Sequence, residues 1–154
     1  HPKNMKPFDI LVAGEINPDL ILMGDVVPAF GQMEKLVDSA TLTIGSSSAI
    51  FACGAARIGL KLAFIGVCGD DLFGRFMLDE MSRRSVDVSH VIIVPGGQTG
   101  LSVILNQGGD RAILTYMGTI NVLTPADVRI KSTPAWMAAP MAISLISSVL
   151  KTIS

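Results

Sequence analysis

A short polar segment near the start of the chain is the first place where the residue types suit ligand binding. Asn17 and Asp19 lie two residues apart, after an apolar run from Phe8 to Ala13 that ends at Gly14. An apolar run of this length bounded by glycine predicts a buried strand, and ligands of α/β sheets bind beyond the carboxyl ends of strands. An amide and a carboxylate at this place suit hydroxyl groups, although an Asx-type turn would explain them equally well.

A serine-rich segment is the second candidate. Gly45–Ser48 lies between a strand-like run, Leu36–Ile44, and a predicted helix at Ala49–Leu60. Free backbone N–H groups at a helix start favour polar or anionic ligands. The segment is not a P-loop, because GxxxxGK[ST] is absent, and no GxGxxG follows a strand. A serine that caps the helix beside a tight turn is the simpler interpretation.

A predicted hairpin is the third candidate. Two alternating runs, Leu101–Leu105 and Arg111–Met117, are joined by a turn segment that contains two glycines. Ser102 and Ile104 share one face of the first run, so they could cover a site as part of a lid. The packed face of an ordinary sheet is the alternative.

The sequence offers few residues for a catalytic triad, a disulfide framework or a metal site. His90 is the only histidine besides His1, so no serine–histidine–acid triad can be assembled. Cys53 and Cys68 form no CxxC pair, which leaves no disulfide framework and no thiolate zinc site. No set of metal ligands is therefore predicted.

The composition limits the class of protein. The 154 residues are 49% hydrophobic and 16% charged, which excludes intrinsic disorder. A net charge of -1 supplies no basic field for nucleic acid or anionic lipid. We expect a globular domain of a reducing compartment, hence a cytoplasmic location.

Residues 1–8 resemble a leader or a cloning remnant. The uncharged stretch Ser132–Leu150 is long enough to span a membrane, but its two prolines and several serines favour a buried strand and helix.

The remaining elements predict the fold class. A buried strand at Lys61–Val67 follows the first helix, Asp70 or Asp71 caps a second helix, and Thr124 caps a third. Strand–helix–strand order is typical of a parallel sheet, so we expect an α/β fold.

Several of these segments together resemble the ribokinase-like, or PfkB, carbohydrate kinase family over residues 9–128. The most specific match is Gly45–Gly74, GSSSAIFACGAARIGLKLAFIGVCGDDLFG; Gly14–Asp19, Thr99–Gly100 and Leu123–Asp127 also match in order and spacing. The resemblance implies a ribokinase-like parallel-sheet core with a small β-strand lid. Residues 9–128 would form the N-terminal, sugar-side part, and residues 129–154, which match poorly, would continue the core as a strand and helix.

The resemblance also assigns substrate-binding positions. They are Asn17, Asp19, Gly45, Ser46, Ser47, Ile50, Ser102 and Ile104. Asp19 matches the carboxylate that accepts hydrogen bonds from sugar hydroxyls, and Ser102 and Ile104 match lid positions. Two residues depart from the family pattern: Ser46 replaces a glycine, and Ile50 replaces an asparagine that contacts substrate.

The function implied is ATP-dependent phosphorylation of a sugar hydroxyl. In the family, a Gly-Ala-Gly-Asp segment in the second half carries the catalytic base, and the ATP and Mg²⁺ sites also lie there. The resemblance therefore predicts no catalytic residue within this chain and no activity of the chain alone. The alternation of the hairpin leaves one face to be covered, so we also expect a homodimer through the lid. A nucleoside kinase of the same family is one alternative. A non-catalytic sugar-binding or interaction protein is another, favoured by Ser46 and Ile50, and a membrane-anchored domain is a third that depends only on the uncharged stretch.

Overall fold

The computed structural model describes residues 8–131 and 142–145. The predicted leader, apart from Phe8, and most of the predicted continuation lie outside these residues. The strands are β1 (Ile10–Ala13), β2 (Pro18–Met23), β3 (Ser39–Ile44), β4 (Leu62–Ile65), β5 (Val67–Gly69), β6 (Val86–Asp87), β7 (Ile92–Val94), β8 (Leu101–Gln107), β9 (Asp110–Tyr116) and β10 (Ala142–Leu145). The helices are α1 (Ser47–Arg57), α2 (Leu72–Arg83) and α3 (Pro125–Lys131).

The main sheet has the order β10-β1-β4-β6, and its neighbouring strands are parallel. Its residues alternate between two apolar layers. Val12 joins Ala52 of α1 and Met77 of α2 in one buried cluster, whereas Leu11 packs on the opposite side with Val128 of α3. A parallel sheet covered by helices on both faces explains why its strands are continuous apolar runs. The predicted α/β fold is confirmed.

A second sheet has the order β3-β2-β8-β9. β2 pairs antiparallel with β3 and parallel with β8, and β8 pairs antiparallel with β9. The predicted hairpin is confirmed: β8 is two residues longer than expected, β9 is shifted by one residue, and the connection is only Gly108 and Gly109. Gly108 has a φ of 60°, which suits a two-residue hairpin turn. The hairpin is thus part of a sheet separate from the main one.

The apolar run predicted as one strand at Lys61–Val67 is instead divided between two sheets. β4 pairs with β1 in the main sheet, while β5 pairs with β7 in a two-stranded parallel sheet. The division falls at Gly66, where a Cβ atom would lie 2.8 Å from the Gly14 carbonyl oxygen. A close backbone approach of this kind is a common reason for glycine in a strand.

The predicted caps of the later helices are confirmed. Asp71 caps α2 and accepts a hydrogen bond from the Gly74 N–H at 2.9 Å. Thr124 Oγ1 accepts one from the Asp127 N–H at 3.2 Å before α3. Among the helices within residues 8–131, none is long and apolar enough to cross a membrane.

Candidate functional site

The chain passes from the main sheet to the second sheet within a few residues. Asn17, which is 6% exposed, lies beyond the carboxyl end of β1 as predicted. Asp19 also lies beyond β1, and it is the second residue of β2, a strand start that the sequence did not predict there. Pro18 opens this strand, a position where the missing N–H of proline is tolerated. Pairing with β3 and β8 on both sides then holds Asp19 within the sheet.

A polar row crosses the second sheet at Asp19. Asp19 is in register with Thr43 of β3 and Ser102 of β8, and Ser102 is in register with Thr115 of β9. Residues in register point to the same face, so these four side chains lie together. The Ser102 and Thr115 hydroxyls are 2.9 Å apart and hydrogen-bonded.

Ile104 lies two residues beyond Ser102 and is 8% exposed. Side chains two residues apart on a strand point to the same face. We call the face that carries Asp19, Ser102 and Ile104 the site face. The structure thus brings two predicted lid residues and the predicted sugar carboxylate onto one surface.

Gly45 joins the first two candidate segments. Its N–H donates to the Asn17 carbonyl oxygen at 3.1 Å. A Cβ atom at this position would overlap Asp19 Oδ1 and lie 2.7 Å from the same carbonyl oxygen. Only glycine therefore allows the loop before α1 to come this close to the Asp19 carboxylate.

Ser46 combines a structural role with a strained backbone. Its hydroxyl donates to the Glu15 carbonyl oxygen at 2.8 Å and accepts from the Ala49 N–H at 3.3 Å, which makes it the N-cap of α1. Its φ is 66° and its ψ is 127°, a conformation that residues other than glycine rarely adopt. Ser47 and Ile50 follow in the first turn of α1, and both are exposed, Ile50 by 55%.

The strain at Ser46 leads to a stability prediction. Ser46→Ala loses both hydrogen bonds and keeps the strain, so it should lower the free energy of unfolding by about 2 kcal/mol. Ser46→Gly loses the same bonds but releases strain worth about 1–3 kcal/mol, so its net effect should stay below about 1 kcal/mol. Urea unfolding of both variants is the measurement. Equal losses would show that the backbone at residue 46 is unstrained.

The electrostatic setting of Asp19 is unusual for a carboxylate. Burial raises its pKa above the ordinary value, and the positive charge of Arg111 offsets this only in part. A carboxylate that has lost part of its hydration needs hydrogen-bond donors. Hydroxyl groups are donors of this kind.

One network next to the site was not foreseen from the sequence. Thr99 donates to Asp71 Oδ2 through its N–H at 2.8 Å and to Asp71 Oδ1 through its hydroxyl at 2.6 Å. The same hydroxyl accepts from the Gly69 N–H at 2.9 Å. The network ties the start of α2 to the residues that lead into β8, and so positions the strand that carries Ser102. The sequence signalled only Thr99-Gly100 as the entry to a hairpin.

Burial tends to raise the pKa of Asp71, but the hydrogen bonds from Thr99 and Gly74 outweigh it, so the net pKa is lowered. The nearby Cys68 thiol is the opposite case. Its burial, together with the negative charges of Asp71 and Asp70, raises its pKa to about 11. A thiol with this pKa is protonated at neutral pH and is a poor nucleophile.

Within residues 8–131 and 142–145, no group of three or more His, Cys, Asp or Glu side chains is arranged to hold a metal ion. The described residues therefore form no all-protein metal site; a Mg²⁺ ion held by one or two carboxylates and the phosphates of a substrate is a separate case.

A known family and several known proteins are similar to most of this chain. The family model described as pfkB family carbohydrate kinase matches residues 8–152. A 5-dehydro-2-deoxygluconokinase of Geobacillus thermodenitrificans is 34% identical over 117 residues, which are 75% of this chain and 33% of the relative. A ribokinase of Bacillus subtilis is 29% identical over 119 residues, 77% of this chain and 40% of the relative. The chain thus spans a third to two fifths of the length of these curated relatives.

Solved structures of sugar kinases and related proteins superpose on most of this chain. A PfkB protein from Polaromonas superposes with a TM-score of 0.67 at 22% identity, over 79% of this chain and 40% of that one. A sugar kinase from Pyrococcus horikoshii, solved in complex with ATP, superposes with a TM-score of 0.63 at 27% identity, over 77% of this chain and 37% of that one. The core of two helix-covered faces and the separate second sheet are therefore a ribokinase-like fold.

Proposed function

This chain belongs to the pfkB family of carbohydrate kinases, and from that premise we propose that it forms the sugar-binding part of an enzyme that phosphorylates a sugar hydroxyl with ATP. The observation that carries the proposal is the partly buried Asp19 carboxylate. It lies on the site face beside Ser102, and Gly45 lets the loop before α1 pack directly against it.

In this proposal Asp19 accepts hydrogen bonds from substrate hydroxyls, with Asn17 beside it. Gly45, Ser46 and Ser47 form the loop against which the sugar is placed. The second sheet acts as a lid, with Ser102 and Ile104 over the substrate. Closure of such a lid excludes water, so that phosphate is transferred to the sugar and ATP is not hydrolysed.

We place the catalytic base, the ATP site and the Mg²⁺ site in a part of the enzyme beyond these 154 residues. ATP would supply the phosphoryl group, and Mg²⁺ would neutralise charge that develops on it. Phosphoryl transfer also needs a group that orients or deprotonates the attacking hydroxyl, and donors for the transferred phosphate. Gly108-Gly109-Asp110 does not supply them, because it forms a hairpin connection and leads into a strand, not a helix.

The names of the relatives suggest the first substrates to test. They include 5-dehydro-2-deoxygluconokinases and a ribokinase. A nucleoside acceptor is the alternative within the same family, and the same panel of substrates distinguishes it.

The side of the second sheet that faces away from Asp19 supports a homodimer. Leu20, Leu42, Val103 and Leu114 form a row in register on this side, and Leu114 is 62% exposed. An apolar row on an exposed sheet face favours association with a partner. We propose a second copy of the enzyme as that partner.

A non-catalytic sugar-binding protein is the second candidate function. Ile50 favours it, because an apolar side chain in the first turn of α1 cannot donate to a sugar hydroxyl. The two candidates differ in turnover: a binder is stabilised by sugar but releases no ADP.

The decisive experiment is a coupled assay for ADP release with ATP, Mg²⁺ and a panel of sugars and nucleosides. We expect no sugar-dependent turnover from the 154-residue chain and clear turnover from the full-length protein. Sugar-dependent turnover by the chain alone, abolished in Asp19→Asn, would show that the catalytic base lies within it. Sugar-induced thermal stabilisation of the full-length protein without turnover would favour the non-catalytic binder.

A further inference from the structure

Arg111 places a positive charge on the site face, at the end of the strands far from Asp19. Arg111 of β9 is in register with Asn106 of β8, which in turn is in register with Met23 of β2. Met23 lies four residues beyond Asp19 on the same strand, so Arg111 shares the site face with the Asp19 carboxylate. The two charged residues thus stand at opposite ends of one surface.

Three isoleucines separate the two charged ends. Ile21, Ile104 and Ile113 are in register with one another in the row between them. A polar row at Asp19, an apolar row, and a row with a guanidinium therefore follow one another along the strands. The distance from the first row to the third is about 13 Å at 3.3 Å per residue, part of which the long arginine side chain covers.

Among the described residues, Arg111 forms no ion pair that would explain its position. In the part of the chain that the structure describes, the ion pairs formed by arginine involve Arg75, Arg83 and Arg84, while Arg111 is exposed. Its charge nevertheless acts on Asp19, where it lowers the carboxyl pKa against the effect of burial. The guanidinium is thus close enough to influence the candidate sugar site while its own donors remain available.

We propose that the substrate is a sugar acid, and that Arg111 binds its carboxylate while Asp19 accepts hydrogen bonds from its hydroxyl groups. This inference rests on the proposed function, whose substrate class it narrows. Arg111 is a specificity-determining residue in this scheme and takes no part in the transfer of the phosphoryl group.

The charges of the site face fix the orientation of such a substrate. The negative charge of Asp19 repels a carboxylate placed beside it, whereas Arg111 attracts one at the far end. A guanidinium binds a carboxylate through two parallel hydrogen bonds, which lysine cannot reproduce. The carbon chain would lie over the isoleucine row, with its hydroxyl end at Asp19. A neutral sugar would leave Arg111 without a partner.

The test compares matched ligands on the full-length protein. D-gluconate carries a carboxylate where D-glucitol carries a hydroxymethyl group. 5-dehydro-2-deoxy-D-gluconate and D-ribose serve as a second acid and a second neutral ligand. Kd is measured by calorimetry, and KM and kcat by ADP release, for the wild type, Arg111→Gln and Arg111→Lys. Arg57→Gln, an exposed arginine at the end of α1, is the matched control.

We expect the acids to bind at least 10-fold more tightly than the neutral compounds. Arg111→Gln should raise Kd and KM for the acids by about 10- to 100-fold, with kcat changed less and the neutral ligands unaffected. Arg111→Lys should restore only part of the loss, and Arg57→Gln should behave as the wild type.

Equal affinity for acids and neutral ligands would overturn the inference, as would an equal loss for both in Arg111→Gln. A protein that binds acids in an Arg111-dependent way without releasing ADP would support the inference and overturn the proposed kinase. A protein that releases ADP only with neutral sugars would support the proposed kinase and overturn the inference.

Discussion

Substitution of Asp19 by asparagine is expected to lower kcat/KM for the cognate sugar by about 10- to 1000-fold in the full-length enzyme. Asparagine keeps the shape of the side chain but removes the charge, and with it one or more charge-assisted hydrogen bonds worth about 1.5–3 kcal/mol each. Steady-state kinetics of ADP release measure the effect. Asp79→Asn, on an exposed position of α2, is the control and should leave the kinetics unchanged.

The same substitution should make the folded protein more stable at neutral pH. Burial raises the pKa of Asp19 in the folded state, so the ionised carboxyl is less favourable there than in the unfolded chain. The penalty is absent below the ordinary carboxyl pKa of 3.8, grows as the pH rises through it, and is complete above the folded-state pKa. Asparagine removes the penalty. Activity and stability should therefore change in opposite directions.

Melting temperatures of the wild type and Asp19→Asn from pH 3 to pH 8 provide the check. The variant should melt at a higher temperature at pH 7, and the two curves should meet in acid. Unchanged kinetics would remove Asp19 from the site. A variant that is less stable at pH 7 would mean that the carboxylate is already satisfied by protein donors and does not need those of a substrate.

Loss of the Asp71 carboxylate should have the largest effect on stability. Asp71→Asn is expected to lower the free energy of unfolding by about 2–4 kcal/mol. Both carboxylate oxygens accept hydrogen bonds, one from Gly74 and the Thr99 hydroxyl, the other from the Thr99 N–H. An amide offers only one oxygen, so its NH2 group would face a donor in either orientation. Urea unfolding of the full-length protein measures the loss.

The neighbouring residue supplies a matched control. Asp70 pairs with Arg75 at 2.9 Å on the surface, where such a pair contributes about 0–1 kcal/mol. Asp70→Asn should therefore have little effect. The lowered pKa of Asp71 means that its contribution is complete above the ordinary value of 3.8 and is lost as the pH falls through the folded-state pKa. The wild type should lose stability in acid more steeply than Asp71→Asn, and parallel pH profiles would contradict this account.

The features that the sequence predicted well have local signals. The cap of α2 at Asp71 is specified by an aspartate before an amphipathic run, and the hairpin of β8 and β9 by alternation around two glycines. Short-range hydrogen bonds of this kind hardly depend on the rest of the fold. The parallel core was predictable for a similar reason, because continuous apolar runs of strand length are buried wherever they are placed.

The features that were missed depend on contacts between distant residues. Pro18 and Asp19 have a low preference for strands, and they lie in β2 only because β3 and β8 pair with it from both sides. No local pattern indicates that Thr99 completes the hydrogen bonds of Asp71. The place of Arg111 on the site face likewise follows from register across three strands, which the spacing of residues along one strand cannot reveal.

The parallel pairing of β2 with β8 has a consequence for how the protein is made. β2 and β3 leave the ribosome long before β8, with the helices and strands of the main sheet synthesised in between. Closing so long a segment delays this pairing relative to local hairpins. Until then, one edge of β2 stays unpaired, and exposed edges invite association with other chains. We therefore expect the site face to form later than the local hairpin of β8 and β9, and the nascent protein to need protection from aggregation during that interval.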